Sequence, residues 1–337
     1  MKNEESISGT NEYGNKNLHA PNHGAADSSF FILHSSFKRY NDYGSWLKTM
    51  FPYKVQKISV NAGMTCPNRD GRIGTGGCIY CNNLTFNPSY CQQATSITRQ
   101  LEEGKRFFAR KYPEMKYLAY FQAYTNTDAP LPVLKRMYEE ALSVPDVVGI
   151  IIGTRPDCVT AELLDYLATL SHSTFVMIEY GIETANNTTL RYINRGHTFE
   201  CVQQTVCATA EKGILCGGHI ILGLPGEDEQ ESLRQAQLIS ALPLTTLKIH
   251  QLQVIRDTRL AQIYNEKPFP LYTVDGYIRL ITEYIRRLRP SLVLERFVSQ
   301  SPANLLIAPH WGLKNHEFTN LLDNHLKKMN VRQGDLC

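Results

Sequence analysis

Short apolar runs alternate with amphipathic stretches along most of this chain. The apolar runs predict six strands, at residues 54–60, 117–121, 147–152, 175–178, 214–222 and 246–249. Between them, apolar residues recur every three to four positions and predict helices at 97–112, 131–142, 161–170, 199–212 and 229–241. Strands that alternate with helices form a parallel sheet with right-handed crossovers. We therefore predict an α/β fold, a partial (β/α)6 barrel of the TIM type, with functional residues at the carboxyl ends of the strands.

The two ends of the chain depart from this alternation. Residues 1–30 contain few large aliphatic side chains, too few to offset the entropy of ordering, and we predict a disordered tail. An aromatic segment at 40–51 is expected to pack against one end of the barrel, in a core domain that spans residues 31–252. Residues 253–337 predict a small α+β extension, with helices at 272–288 and 318–329 and a strand at 292–296.

Composition narrows the class of protein. A chain of 337 residues, 42% of them hydrophobic, can bury a sizeable core. No apolar run reaches the roughly 20 residues that cross a bilayer, and the first residues lack the apolar centre of a signal peptide, so we expect no membrane partner. Nine cysteines, an odd number, do not fit a secreted disulfide framework, and we expect a cytoplasmic protein. The net charge of +3 neither requires nor excludes a nucleic-acid partner.

Candidate chemistry is concentrated in residues 61–83, NAGMTCPNRDGRIGTGGCIYCNN, directly after the first predicted strand. Cys66, Cys78 and Cys81 follow the spacing Cys-x11-Cys-x2-Cys, and the glycines between them allow the loop to fold back. Three thiolates suit a [4Fe–4S] cluster with one open iron. A fourth thiolate, which Cys91 could supply, would favour a closed zinc site. The spacing alone leaves both kinds of site open.

The run FPYKVQKISVNAGMTCPNRDGRIGTGGCIYC resembles the radical S-adenosylmethionine (SAM) proteins, in particular the bacterial branch related to the catalytic subunit of Elongator, which has this expanded cysteine spacing. The resemblance continues through FQAYTNT, TRPD, EYGIET, INRGHT and GGHIILGLPGE and covers residues 38–334. It implies a radical SAM partial barrel with a [4Fe–4S] cluster on Cys66, Cys78 and Cys81. It also implies that SAM binds the open iron and is reductively cleaved to a 5′-deoxyadenosyl radical, which leaves zinc as the lesser alternative.

The same resemblance implies which strand ends contact SAM. The run that contains Gln122, Tyr124 and Asn126 takes the place of the motif that meets the methionine amino group in other radical SAM proteins, with an ordinary polar loop as the alternative. Arg195 is expected to hold the SAM carboxylate, since a guanidinium can bind both oxygens, and Glu183 to lie beside the ribose. A surface ion pair is the alternative for these two residues. The remaining expected contacts are Glu179, at the end of the fourth strand, and the backbone from Ile220 to Gly223, which would pack on the adenine.

Other polar residues at strand ends have simpler expected roles. Arg155 and Asp157 of the TRPD run are expected to pair and to fix their loop. His197 is expected to be a structural histidine. Residues 248–251 close the sixth predicted strand and are expected to point into the site or to its rim.

The sequence therefore predicts a radical SAM enzyme that is reduced by an external flavodoxin- or ferredoxin-type donor. The Elongator resemblance suggests an RNA substrate such as tRNA. Residues 248–337 also carry a basic excess, with 13 Lys and Arg against 8 Asp and Glu. A protein or small-molecule substrate, with solvated basic helix faces, is the alternative. The rival function is a non-catalytic binding module stabilised by zinc or by a cluster. The basic residues proposed to touch RNA are Arg286, Arg287, Arg289, Lys327 and Lys328.

Overall fold

A computed structural model of the chain describes residues 38–85, 88, 90–91, 95–109 and 114–337. The predicted tail, residues 1–30, lies outside the described residues. All six predicted strands are confirmed, and further strands follow them. The strands are β1 (Val55–Val60), β2 (Lys116–Phe121), β3 (Val147–Thr154), β4 (Phe175–Glu183), β5 (Leu215–Leu222), β6 (Thr246–Gln251), β7 (Val254–Ile255), β8 (Val293–Arg296) and β9 (Leu306–Ala308).

Seven of these strands form one parallel sheet, in the order β1-β2-β3-β4-β5-β6-β8. The sheet curls into a half-barrel, which confirms the predicted α/β partial barrel but with seven strands in place of six. The seventh strand, β8, comes from beyond residue 252, so the predicted extension contributes an edge strand to the core sheet. The antiparallel pair of β7 and β9 was not predicted.

Helices connect the strands and cover the outer face of the sheet, as predicted. Most of them begin directly after a capping side chain. Thr160 accepts a hydrogen bond from Leu163 N at 3.2 Å, and Asp228 accepts one from Glu231 N at 2.8 Å. The helices are α1 (Tyr43–Met50), α2 (Ile97–Ala109), α3 (Leu131–Ser143), α4 (Ala161–Ser171), α5 (Asn187–Tyr192), α6 (Phe199–Glu211), α7 (Glu229–Ala241), α8 (Arg259–Glu266), α9 (Val274–Arg286) and α10 (Asn315–Met329). Neither α1 nor α8 was predicted as a helix.

The side chains of each strand alternate between the inner and outer faces of the half-barrel, because successive residues point to opposite faces of a sheet. On β4, Val176 and Ile178 pack in the large outer core, whereas Phe175 and Met177 belong to a smaller inner apolar cluster. Trp46 of α1 packs against Phe175, with ring centroids 6.3 Å apart. The aromatic segment therefore closes the amino end of the barrel, opposite the end where chemistry is expected.

The fourth strand is longer than predicted, and this changes the position of Glu179. The polar run after residue 178 suggested that the strand ended there, but β4 pairs with β3 as far as Tyr180 and with β5 as far as Glu183. Hydrogen bonds to neighbours on both sides maintain the extended backbone despite the charged side chains. Glu179 consequently lies within the strand, on the inner face, directly above the apolar layer.

Candidate active site

A cavity of about 220 Å³ opens at the carboxyl ends of the sheet strands. This is the end at which barrels of this kind carry their chemistry. The cysteine loop, the ends of β2 to β6 and the segment after β8 all contribute to its wall. The lining includes Cys66, Cys78, Cys81, Gln122, Tyr124, Arg155, Glu179, Glu183, Arg195, His219, His250 and Arg296.

The cysteine loop folds back on itself, and this return explains its long spacing. The carbonyl of Cys66 accepts a hydrogen bond from Arg69 N at 2.7 Å, and Asp70 pairs with Thr75 in an antiparallel bridge. Gly77 N then donates to the Asn68 carbonyl at 2.8 Å. Gly77 has a φ of +75°, and a Cβ there would lie 2.7 Å from Arg69 Nε, so a larger residue would open the turn. The residues between Cys66 and Cys78 thus form a loop whose two ends are hydrogen-bonded, which brings Cys66 close to the Cys78–Cys81 pair.

Donors and positive charge surround the three thiols. Cys78 Sγ lies 3.7 Å from Arg195 Nη1 and 3.9 Å from Asn68 Nδ2, and Arg69 donates to the carbonyl of Cys81 at 2.6 Å. Burial raises the pKa of the Cys81 thiol to about 11, so a bound cation or cluster is needed to hold it as a thiolate. Thiolate ligands with hydrogen-bond donors aimed at sulfur fit an iron–sulfur cluster.

The expected alternative ligand, Cys91, lies elsewhere. It is buried beside α2, where its Sγ contacts Gln100 Oε1 at 3.3 Å, and burial raises its pKa to about 11. Gln100 in turn bonds both the N–H and the carbonyl of Asn61. Cys91 does not line the cavity. In the described part of the chain, no three Cys, His, Asp or Glu side chains are grouped around a position for one metal ion.

Arg195 and Glu183 are brought together beside the cysteines, and both are mostly buried, so they are not a surface ion pair. Arg195 Nη2 donates to the carbonyl of Gly181 at 2.6 Å and lies 3.6 Å from Glu183 Oε1. A Cβ at Gly181 would approach Glu183 Oε1 to 2.7 Å, so glycine makes room for the pair. Arg195 Nε is buried and has no hydrogen-bond partner, which leaves one donor available to a bound molecule.

The TRPD run forms the ion pair that the sequence predicted. Arg155 binds both oxygens of Asp157, at 2.9 and 2.7 Å. Arg155 also lines the cavity, and its Nη1 is buried without a partner. His197 is close to this pair; burial and the charge of Arg195 lower its pKa to about 3, so the ring is neutral. Its Nδ1 lies 3.2 Å from the carbonyl of Thr198.

The polar run after β2 divides between the cavity and the core. Gln122 and Tyr124 line the cavity, and Tyr124 has a φ of +62°. Asn126 does not line it: its Nδ2 donates to the carbonyls of Phe121 and Gly153, at 3.1 and 2.9 Å. Asn126 therefore joins the ends of β2 and β3 beneath the site.

The β5 segment that is expected to pack on the adenine, residues 220–223, lies partly at the cavity and partly in the core. Ile221 lines the cavity, whereas the side chain of Ile220 packs in the outer core. Gly223, with a φ of +87°, lies beyond the strand, where a Cβ would come within 3.1 Å of the Tyr272 ring. Of residues 220–223, Ile221 is thus the one that lines the cavity.

A cluster of buried charges forms the floor of the cavity, and sequence reasoning did not predict it. Glu179 Oε1 lies 2.9 Å from Lys57 Nζ, and its Oε2 lies 2.6 Å from Lys248 Nζ and 2.9 Å from His219 Nε2. Glu295 binds the same lysines, at 2.8 and 3.3 Å. These five residues, which we call the charge cluster, come from five different strands.

The cluster determines the protonation of its members. Burial alone would raise the pKa of the Glu179 carboxyl, but Lys248 and Lys57 together hold it well below its usual range. Burial lowers the pKa of Lys248 to about 8. Both oxygens of Glu179, a predicted SAM contact, are thus already bonded to side chains of the chain. The available sequence signal was a single charged residue inside an apolar strand, such as Lys57 in VQKISV.

Fold and site together define a half-barrel protein with a three-cysteine loop after its first strand. The chain belongs to the radical SAM superfamily: residues 68–237 match that superfamily, and residues 244–328 match the Radical_SAM C-terminal domain. It is therefore an enzyme that uses a [4Fe–4S] cluster and SAM. The chain is 33% identical to Bacillus subtilis YtqA over 304 residues, 90% of this chain and 94% of that protein.

Two further relatives are more distant. The tRNA uridine(34) acetyltransferase of Dehalococcoides mccartyi is 27% identical over 202 residues, 56% of this chain and 41% of that enzyme. The structure of the archaeal Methanocaldococcus infernus Elp3 superimposes with a TM-score of 0.62 at 17% identity, over 83% of this chain and 64% of that one. At that identity the match shows the shared fold. No helix among the described residues is long and apolar enough to cross a membrane.

Proposed function

We propose that this enzyme binds its cluster through Cys66, Cys78 and Cys81 and cleaves SAM reductively to act on a substrate in the same cavity. The observation that carries the proposal is the convergence of three thiols and two incompletely bonded arginines, Arg195 and Arg155, on one cavity wall. When bound, the cluster supplies the electron that converts SAM to methionine and a 5′-deoxyadenosyl radical. The protein supplies binding, orientation and exclusion of water.

The residues around the cysteines suit the charged end of SAM. Arg195 Nε and Arg155 Nη1 are donors for its carboxylate, since each is buried and unmet. In this proposal Gln122 and Tyr124, which line the cavity, bind the amino group, and Glu183 accepts from the ribose hydroxyls. The strand backbone at Ile220 packs on the adenine. Glu179 and Asn126 hold these strands in place through the contacts that they make with the rest of the chain.

An external flavodoxin- or ferredoxin-type protein delivers the electron in this proposal, and the enzyme acts in the cytoplasm. All nine cysteines lie in described residues and none of them forms a disulfide, which suits a reducing compartment. Anaerobic reconstitution with iron and sulfide should give about four irons per chain. With dithionite as reductant, the holoenzyme should convert SAM to methionine and 5′-deoxyadenosine. A colourless zinc protein without SAM cleavage would support the binding module instead.

We also propose an RNA substrate, which is supported by the similarity of this chain to the tRNA uridine(34) acetyltransferase of Dehalococcoides mccartyi. Of the basic residues expected to touch RNA, Arg286 and Arg287 pair with Glu283 at 2.7 and 2.9 Å, and Arg289 donates to the carbonyls of Ser240, Leu242 and Leu244. Lys327 and Lys328, at the end of α10, are exposed. The test is binding of the holoenzyme to total tRNA at two ionic strengths. No binding at low salt would favour a protein or small-molecule substrate.

A further inference from the structure

Arg296, at the carboxyl end of β8, is a cation that lines the cavity without a partner. The carboxylate of the preceding residue, Glu295, is bonded to Lys57 and Lys248. Across the described residues, the Arg296 guanidinium makes no hydrogen bond and no ion pair. It is half-buried, and its backbone pairs with Lys248 on β6. A half-buried guanidinium has lost part of its hydration without gaining an anion in return.

His250, on the same strand as Lys248, provides a second polar group without a hydrogen-bond partner. Its Nε2 is buried and has no hydrogen-bond partner. Burial, followed by the charge of Arg296, holds the pKa of His250 well below its usual range, so the ring is neutral. A neutral imidazole can present an N–H to an acceptor. The ring of His219 lies 5.7 Å away, centroid to centroid, and its Nε2 is already bonded to Glu179.

The balance of charge here favours an anion. Among the described residues, Lys57 and Lys248 are ion-paired with the carboxylates of Glu179 and Glu295, whereas Arg296 has no such pair. Burial lowers the pKa of both His219 and His250, so neither ring adds a charge. The positive charge of Arg296, which lines the cavity, is therefore not neutralised by a paired carboxylate. Guanidinium donors match the oxygens of carboxylate and phosphate groups, often in pairs.

The neighbouring wall is polar and held in place. Ser301 donates to Gln253 Oε1 at 2.7 Å, and Gln251 bonds both the N–H and the carbonyl of Ser299, at 2.7 and 3.0 Å. These residues line the cavity beside Arg296. The segment after β8 is thereby bonded to the end of β6, so Arg296 and His250 project from backbone that is held together at the edge of the cavity.

We propose that Arg296 and His250 form an oxyanion subsite that binds a phosphate or carboxylate group of the substrate. This inference rests on the proposed function, because it concerns the substrate of the same cavity. Arg195 and Arg155 serve the SAM carboxylate on the cysteine side, so the subsite is open when SAM is bound. The substrate is therefore anionic at the end that lies against β6 and β8.

The test uses the reconstituted holoenzyme saturated with S-adenosylhomocysteine, so that the arginines beside the cysteines are occupied. Inorganic phosphate and, separately, acetate are titrated by calorimetry at constant ionic strength. We expect one ion per chain, and at least a tenfold loss of affinity in Arg296→Gln, about 1.4 kcal/mol. Arg296→Lys should recover part of that affinity, because it restores the charge without the planar donors. Arg279→Gln, an exposed arginine on α9, is the matched control and should bind as the unaltered protein does.

Tighter binding of phosphate would identify a phosphorylated substrate, and tighter binding of acetate a carboxylate. Circular dichroism and iron content establish that Arg296→Gln is folded and loaded. The subsite is wrong if neither anion binds at millimolar concentration, or if Arg296→Gln and Arg279→Gln bind equally well. SAM cleavage by the unaltered enzyme is measured in parallel. Cleavage without anion binding would refute the subsite alone, whereas absence of a cluster and of cleavage would refute the proposed function.

Discussion

The cysteine loop and the charge cluster face the same cavity but are built in opposite ways. The loop is a continuous stretch of 23 residues, 61–83, held by its own backbone hydrogen bonds and by glycines at positive φ. The charge cluster has no continuous sequence, since Lys57 and Glu295 are bonded across 238 positions. The loop leaves its thiols available, whereas the cluster uses almost every polar atom internally. One region is thus ready to hold a cofactor, and the other supports the strands around it.

The largest effect is expected at the cysteines of the loop. Cys66→Ala, Cys78→Ala and Cys81→Ala should each abolish SAM cleavage, because in the proposed site these three thiolates hold the cluster and none is redundant. Iron content and 5′-deoxyadenosine release measure the loss. Cys91→Ala and the exposed Cys207→Ala should retain both, since neither residue lines the cavity. Loss of iron in Cys91→Ala would indicate a four-cysteine site.

Glu179 tests whether the charge cluster is structural. In Glu179→Gln, Lys57 and Lys248 remain buried with only Glu295 between them, and breaking a buried ion pair costs roughly 3–5 kcal/mol. Urea unfolding of the holoenzyme, followed by circular dichroism, should show this as a lower midpoint. Glu103→Gln on α2, which breaks an exposed pair with Arg99, should cost less than about 1 kcal/mol. Equal effects would mean that Glu179 is available to bind SAM, as the sequence suggested.

The sequence alone predicted the cysteine loop but not the charge cluster, and the reason is physical. Three cysteines at fixed spacing are a local pattern. Alternating strands and helices predicted six of the seven sheet strands, and the seventh, β8, was predicted as a strand of the extension at 292–296. Lys57, His219 and Glu295 become neighbours only when the sheet curls, and single residues inside apolar strands have no spacing to detect. The polarity of Glu179 even led to a premature end for β4. The SAM contacts predicted from the family remain predictions, although Gln122, Tyr124, Glu183 and Arg195 do line the cavity.

A smaller effect is expected at Arg195, which lies beside the cysteine loop and which we propose binds the SAM carboxylate. Arg195→Ala removes one donor for the SAM carboxylate and should weaken SAM binding by roughly 1.5–3 kcal/mol, with iron content unchanged. Equilibrium binding of SAM to the reconstituted protein measures this change. Arg191→Ala, four residues earlier on α5 and exposed, is the control. Loss of iron with normal SAM binding would assign Arg195 to the cluster, through its contact with Cys78.

The smallest effect is expected on the surface of the C-terminal extension, at Lys327 and Lys328 of α10, which belong to neither region. If tRNA binds along α10, Lys327 and Lys328 each release counterions on contact with phosphate, so tRNA affinity must fall as salt rises. Lys327→Gln combined with Lys328→Gln should lower the slope of log K against log salt by about 1 for each phosphate contact that is lost. Arg99→Gln is the control, because Arg99 is equally exposed but already paired with Glu103. Filter binding at several salt concentrations gives the slopes. A double variant with the slope of the unaltered enzyme would show that α10 does not touch the RNA, and RNA contact would then have to come from the cavity side of the molecule.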